Sequence, residues 1–317
     1  AHDLYEDWAL LQWLSRLLEQ TGGVNTAFFD ALGTYPAMRR CFRLWLLEQL
    51  DGAFAEAQEH VFAVMSNTAL PAHWRDEALV AVFQSVSAPN LLQQLGNRLV
   101  SDVGLLRRAV HLLRVSCRSL SEGGVDPSTL EPDALVPSGF AWNAMLAIIL
   151  QASQGLLVPD LIWILAFLED WARAARVQPD PPAAMEVARL CNLLLGNSRH
   201  ILESYQETFR ERVLRVMLSV PRATKLELQA MIEKAIVATR RDGSERHILR
   251  LIWSHFSGAA VARDLPEMTL RVVDHHLHLS QPDGSDEERR HHYQGMDLGG
   301  YAAFGLGHLS RYEDYHP

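Results

Sequence analysis

Tyr35-Pro36-Ala37-Met38-Arg39-Arg40-Cys41-Phe42-Arg43-Leu44-Trp45-Leu46-Leu47-Glu48-Gln49-Leu50-Asp51-Gly52 decides the fold class. Proline suits the first turn of a helix, where a backbone N–H has no partner to lose. Met38, Cys41, Phe42, Trp45, Leu46 and Leu50 then recur at steps of three and four, which lines one face of a helix with apolar side chains. Asp51-Gly52 closes it. The result is an amphipathic helix that needs a neighbour to cover it.

The same grammar runs outward in both directions. Upstream, Leu4, Trp8, Leu11 and Leu18, joined by Leu10, Leu14 and Leu17, make a broad apolar stripe that stops at Gly22-Gly23. Asp3 is suited to cap that helix, with Glu6 as the return partner of a capping box. A helix cap so near residue 1 suggests a piece of a longer protein. Asn25 or Thr26 starts a short helix through Phe28, Phe29 and Leu32, ended by Gly33.

Downstream, a helix is predicted over 53–65, and others open at Pro71 and Pro89. Another spans Leu105 to Val115 with Leu106, Val110, Leu113 and Cys117 inward. Residues 119–138, with Pro127, Pro132 and Pro137, read as a solvated linker of about twenty residues, long for a compact domain. Helices resume over 139–154 and at Pro159, where Trp163, Phe167 and Trp171 share a core-facing stripe. After Pro179, Pro181 and Pro182, further helices are predicted over 182–195, 201–219, 224–240, 244–256 and 266–278. Residues 280–317, rich in glycine, read mostly as loop. No alternating strand pattern appears.

The fold class is therefore all-α. Short Pro, Gly and Asp-Gly joints between helices of this length imply antiparallel hairpins. From residue 53 the helix pairs recur at roughly 35–45 residues, as in HEAT-like and TPR-like arrays. We read an irregular α-solenoid, with a first array over 53–118 and a second over 139–279; a closed helical bundle is the alternative.

Composition narrows the function. Hydrophobic residues make up 48% of the 317, enough for a large core, and the net charge of −9 lacks the basic footprint of a nucleic-acid surface. Cys41, Cys117 and Cys191 stand alone in apolar patterns, as buried thiols of a reducing cytosol do. The most apolar run, Leu156 to Leu168, contains Pro159 and Asp160 and is too short to span a bilayer. A cytoplasmic protein with no membrane contact is expected.

Catalytic motifs are scarce. G-x-S-x-G and H-E-x-x-H are absent, and the two lysines, Lys225 and Lys234, follow Thr224 and Glu233, so no Gly-Lys P-loop exists within the chain. On a helix, Asp274, His275 and His278 could gather as a metal set, but His278 shares a face with each of the others only pairwise, and a zinc site needs three or four ligands. Histidines near a helix C-terminus are equally at home with its dipole. That leaves His2, placed where free N–H groups and the helix dipole gather anions.

The stretch His2-Asp3-Leu4-Tyr5-Glu6-Asp7-Trp8-Ala9-Leu10 resembles the Met-His-Asp motif region of STAND nucleotidases, the P-loop switch ATPases that include plant NLR receptors. It is most similar to the large bacterial STAND proteins of antiphage defence, the AVAST type. Tyr35 to Arg40 with Leu44-Trp45-Leu46 is similar to an Arg-containing helix that follows there. So are Leu265-Pro266-Glu267-Met268, Phe304-Gly305-Leu306 and Tyr315-His316-Pro317 to later stretches. Position 1 is Ala where that family has a bulkier apolar residue.

The resemblance implies residues 1–52 as a His-Asp switch segment, the end of a winged-helix-like domain leading into the helical arrays. His2 would contact the β-phosphate of ADP, and Asp3 would position it. ADP or ATP with Mg would be held by a nucleotidase core outside this chain, so no catalytic residue is assigned. The helical arrays would sense a target of phage origin and the protein would self-associate on activation. A stand-alone α-solenoid interaction scaffold without nucleotide, and a metal-dependent enzyme on Asp274, His275 and His278, are the competing expectations.

Overall fold

The architecture comes from a computed structural model. It describes residues 2–120, 135–175, 183–242, 248–249, 251–252 and 259–279. For residues 2–7, 120, 135, 154, 174–175, 242, 259–261 and 276–279 it describes the backbone alone. The chain divides into two compact units, Ala1–Ala174 and Ala175–Pro317.

The first unit is a two-layer stack of helices. In order they are α1 (His2–Thr21), α2 (Thr26–Leu32), α3 (Pro36–Gly52), α4 (Phe54–Ser66), α5 (Ala72–Gln84), α6 (Ala88–Ser101), α7 (Val103–Ser116), α8 (Ala141–Ala152) and α9 (Val158–Ala175). Each helix touches the next, and α1 also packs on α3, α3 on α5, α5 on α7, and α6 on α8. That alternation is the signature of stacked helical hairpins, with every second helix in the same layer.

Polar contacts report the register. Arg43 meets Glu77 and Ser85 donates to Asp51, both pairs 34 residues apart along α3 and α5. Arg108 donates to Asp76, and Gln84 to the Ser116 carbonyl, both at 32 along α5 and α7. Because both members of each pair advance together, the helices of a layer run parallel, and the intervening α4 and α6 return antiparallel. The helix starts at 36, 72 and 103 advance by 36 and then 31 residues, at and below the lower end of the recurrence expected from the sequence.

Local chemistry explains the ends. The Asn25 side chain accepts the Phe28 N–H at 3.1 Å, so Asn25 caps α2 and Thr26 is already helical. Gly33 sits at φ 70 to end it, a conformation glycine adopts without steric cost. Asp102 caps α7 through Leu105 N–H at 2.9 Å, starting that helix two residues ahead of the expected Leu105. The helix α1 is formed from His2 onward, so Asp3 lies inside its first turn rather than capping it from outside.

One expectation needs correction. Residues 119–138 do not separate two arrays: α8 packs on α6 and α7, and both sides of the loop belong to the first unit. The stems of that loop pair as a short antiparallel ribbon, β1 (Arg118–Leu120) with β2 (Leu135–Pro137), Ser119 opposite Val136. Three-residue strands are too short to show an alternating pattern. The described part of segment 1–52 consists of α1 to α3, and α1 joins the same layer as α3.

Aromatic rings fill the centre of this unit. Phe28, Phe29, Phe42, Trp45 and Trp74 stack edge-on or tilted, with centroids 4.9–6.3 Å apart. Phe167 and Trp171 serve the core as expected, Phe167 stacking on Trp142 at 4.8 Å and Trp171 donating to Asn143, whereas Trp163 is only half-buried and donates to Asp160.

The second unit contains α10 (Ala184–Asn197), α11 (Glu203–Met217), α12 (Lys225–Asp242), α13 (Ala259–Asp264) and α14 (Pro266–Leu279). There α10 packs on α11, and α14 packs on α12 and α13. Of the helix expected over 244–256, residues 248–249 and 251–252 are described and helical. Residues 280–317 lie outside the described residues. No described helix is long and apolar enough to cross a membrane.

The core assignment is testable. Trp45 is 1% exposed and its indole donates to Ser15, whereas Trp8 is 63% exposed. Trp45→Ala should destabilise the protein by about 3–5 kcal/mol, while Trp8→Ala should stay within about 0.5 kcal/mol. Urea unfolding of the two variants compares them directly.

Candidate functional site

The parallel seams place carboxylates of one helix opposite guanidinium groups of its neighbour. The first rung is exposed: Arg108 binds Asp76 through Nε at 3.1 Å and Nη2 at 2.7 Å. The hydrogen bond to Asp76, more than the opposing burial, raises the Arg108 pKa further. Exposed pairs of this kind add little stability.

The next rung is buried. Asp160, three residues into α9, accepts the Leu157 N–H at 2.8 Å, the Trp163 indole at 2.9 Å and Arg107 at 2.5 Å. Its bond to the Leu157 N–H is the return half of a capping box. Burial alone would push this carboxyl up, but the three donors and the Arg107 charge outweigh it and hold it below the ordinary carboxylate range.

Asp170 forms the densest rung. Its side chain is 1% exposed, and three arginines converge on it. Arg114 donates at 2.6 Å and Arg118, on β1, at 2.5 Å to one oxygen, while Arg173 takes the other. Arg118 also donates to the Arg114 carbonyl, and the Trp142 indole donates to the Cys117 carbonyl at 3.0 Å. The stem of the 121–134 segment is thereby bolted to α8 and α9. In the second unit Asp264 repeats the theme with Arg222 at 3.0 Å and Arg263 at 2.9 Å, and donors again outweigh burial to lower its pKa.

These carboxylates are poor general bases, since guanidinium and indole donors occupy their lone pairs. The ladder is cohesive chemistry rather than catalysis. Its rungs at Asp76, Asp160 and Asp170 were not singled out from the sequence. Spacing alone shows surface-type Arg and Asp on amphipathic helices, and only the seam register pairs them.

One rung is incomplete. Between α3 and α5, Arg43 and Glu77 form an ion pair at 3.4 Å, yet Arg43 Nε and Glu77 Oε2 have no hydrogen-bond partner among the described residues. Arg39 Nε and His73 Nε2 are buried and equally unpartnered. The sequence signal was present: Arg39 and Arg43 stand four apart, as do His73 and Glu77, so each pair shares a helix face.

The residues expected to carry chemistry do not assemble. His2 and Asp3 lie in the first turn of α1, and their side chains are outside the described residues. Asp274 is exposed while His275 is buried, so neighbours on α14 face different surroundings, and the His278 side chain is not described. Among the described residues no group of three His, Cys, Asp or Glu could hold a metal ion. Cys41, Cys117 and Cys191 are buried free thiols, and burial raises the pKa of Cys117 and, strongly, of Cys191. Such thiols are inert.

No protein-family model matches this sequence, and no curated protein does.

Two outcomes follow from the ladder. Asp170→Ala leaves three arginines without their common partner and should cost about 3 kcal/mol in denaturant unfolding, the low end for a broken buried pair, because the guanidiniums are 20–28% exposed. Asp160 and Asp264 have lowered folded pKa values, so their stabilisation is complete above the unfolded value of about 3.9 and is lost as pH falls through the lower folded values. Asp160→Asn should therefore flatten the loss of stability below about pH 4, measured by unfolding across that range. An unchanged acid limb would remove Asp160 from the account.

Proposed function

We propose that this chain is the sensor and transducer arm of a multidomain STAND-type nucleotidase of bacterial antiviral defence. It would couple the ADP or ATP state of a separate nucleotidase core to target recognition and self-association. The observation that carries the reading is the His2–Leu10 stretch at the head of a helix that is itself part of the stack.

That position suits transduction. Leu14 and Leu17 of α1 are buried, and Ser15 accepts the Trp45 indole of α3 at 3.3 Å. A displacement at the His2 end would be passed to α3 and along the parallel seams to α5 and α7. Packed interfaces of this kind switch between arrangements rather than deform smoothly. His2 would donate a hydrogen bond to a phosphate oxygen of ADP, Asp3 would orient it, and the bond would favour the inactive form because it exists only there.

Exposed aromatic and aliphatic side chains offer protein-binding surface. Trp8, Trp13 and Tyr35 in the first unit, and Leu202 and Tyr205 in the second, are exposed. Such residues are enriched where proteins meet. A protein target, of phage origin in the defence setting, and copies of the same protein are the proposed partners.

The test uses the full-length gene product. His2→Ala should weaken ADP retention roughly ten- to hundredfold, the value of one charge-assisted hydrogen bond, and should increase self-association. Equal retention of ADP by both proteins would defeat the assignment of His2, leaving a helical-repeat interaction scaffold without nucleotide.

A further inference from the structure

The C-terminal ends of α5, α7 and α9 meet at one end of the first unit. The Gln84 amide donates to the Ser116 carbonyl, the Ser138 N–H donates to the Cys117 carbonyl, and Gly139 lies beside the Phe83 carbonyl. Arg114 and Arg118 reach across to Asp170 of α9. These contacts collect two kinds of surface.

One is apolar. Val86 just past α5, Val115 in the last turn of α7 and Phe140 at the start of α8 are 64, 62 and 60% exposed. Each lies within two residues of one of those carbonyl contacts. Single exposed apolar side chains are ordinary, but several gathered at one place mark a binding surface.

The other is cationic. Arg114 through Nε at 2.6 Å and Arg118 through Nη2 at 2.5 Å share one oxygen of the buried Asp170 carboxylate. Both side chains keep some exposure, 28 and 20%, so the outer edges of the guanidiniums face solvent with N–H groups to spare. With Arg173 on the second oxygen, three guanidiniums answer one carboxylate. The partial negative charges at the C-termini of α7 and α9, about half a unit each, offset that excess only in part. The pair is also held in advance: Arg118 donates to the Arg114 carbonyl, and the ribbon sets its backbone opposite Pro137. Rotamer freedom that a guest would otherwise have to remove is already gone.

The two halves together define the guest. A guanidinium pair suits a carboxylate. A free anion would leave the apolar half uncovered, and a nucleic acid would meet a chain of net charge −9. Packed helices lie about 8–10 Å apart, so α5 to α9 spans about 18 Å, the reach of about six extended residues. We propose that this end of the first unit binds an extended acidic and apolar segment of a partner protein. Its apolar side chains cover Val86, Val115 and Phe140, and an Asp or Glu carboxylate bridges Arg114 and Arg118. The inference is independent of the nucleotide role proposed for His2 and holds equally for an interaction scaffold.

The probe is an array of hexapeptides, each joining three apolar residues to three acidic ones in either order, with a matched set in which Asn and Gln replace the acids. The full chain should bind the acidic set about tenfold or more tighter than the amide set, and should prefer one order because the two halves of the surface sit on different helices. Arg118→Gln should remove the difference between acid and amide. Phe140→Ser, at an exposed position, should weaken both sets by roughly tenfold.

Failure of every acidic peptide to bind, equal binding of acid and amide, or binding unchanged by both variants overturns the proposal. Displacement of the peptides by an equally tight single-stranded oligonucleotide, dependent on Arg118, would make the surface a nucleic-acid site instead. Self-association in sedimentation that Phe140→Ser removes would make the occupant a second copy of this chain. If Arg118→Gln does not fold, Phe140→Ser and the comparison of acid with amide on the wild-type chain decide, since binding indifferent to Phe140 lies elsewhere.

Discussion

Interior helices of the first unit each pack against several neighbours at once, and the rest of the structure depends on that constraint. In α5 the six consecutive residues Ala78 to Phe83 are all buried. A helix apolar around most of its circumference belongs inside a protein. It needs α3 on one side, α7 on the other, and α4 and α6 across the layer. Stacking supplies these partners, and each added hairpin presents a face for the next. At the head of the stack, α1 buries Leu14 and Leu17 toward α3 and leaves Trp8 and Trp13 exposed.

Parallel stacking also dictates the electrostatics. Charged side chains at the margins of the apolar faces are drawn into the seams, where each needs a partner to offset lost hydration. From α5 to α9 the pairing tightens: Asp76 is partly exposed with one arginine, Asp160 is buried with one arginine and two N–H donors, and Asp170 is buried with three arginines. The densest rung coincides with the long segment after Arg118. The cross-seam separation there grows from 32 to 53 and 56 residues. A stack tolerates such an insertion because the entropy of closing a loop grows only slowly with length. The ribbon and Arg118 secure its base.

Much of this was legible in the residues. Pro36, Pro71, Gly22-Gly23 and Gly33 mark helix boundaries through backbone chemistry that acts within one turn, and each marks one in the structure. Asn25 rather than Thr26 as the cap was open from sequence, because both side chains can accept the same N–H; the backbone settled on Asn25. The meaning of residues 119–138 was not legible. A polar, proline-rich segment looks the same whether it separates two domains or is inserted into one, and only the packing of α8 on α6 shows that it is inserted.

The sequence by itself determined the all-α class, most helix ends to within a residue or two, most of the core faces and the absence of a P-loop lysine within the chain, because these follow from periodicity and from rules that act over a few residues. Tertiary structure alone decided which charges meet. Arg43 with Glu77, Arg108 with Asp76, and Arg114 and Arg118 with Asp170 are 32 to 56 residues apart. Their pairing depends on the register between helices, which is set by how buried side chains of both helices interlock. No local pattern encodes that register, so the pairing of the ladder, and the unpaired seam at Arg39 and His73, emerged only with the fold.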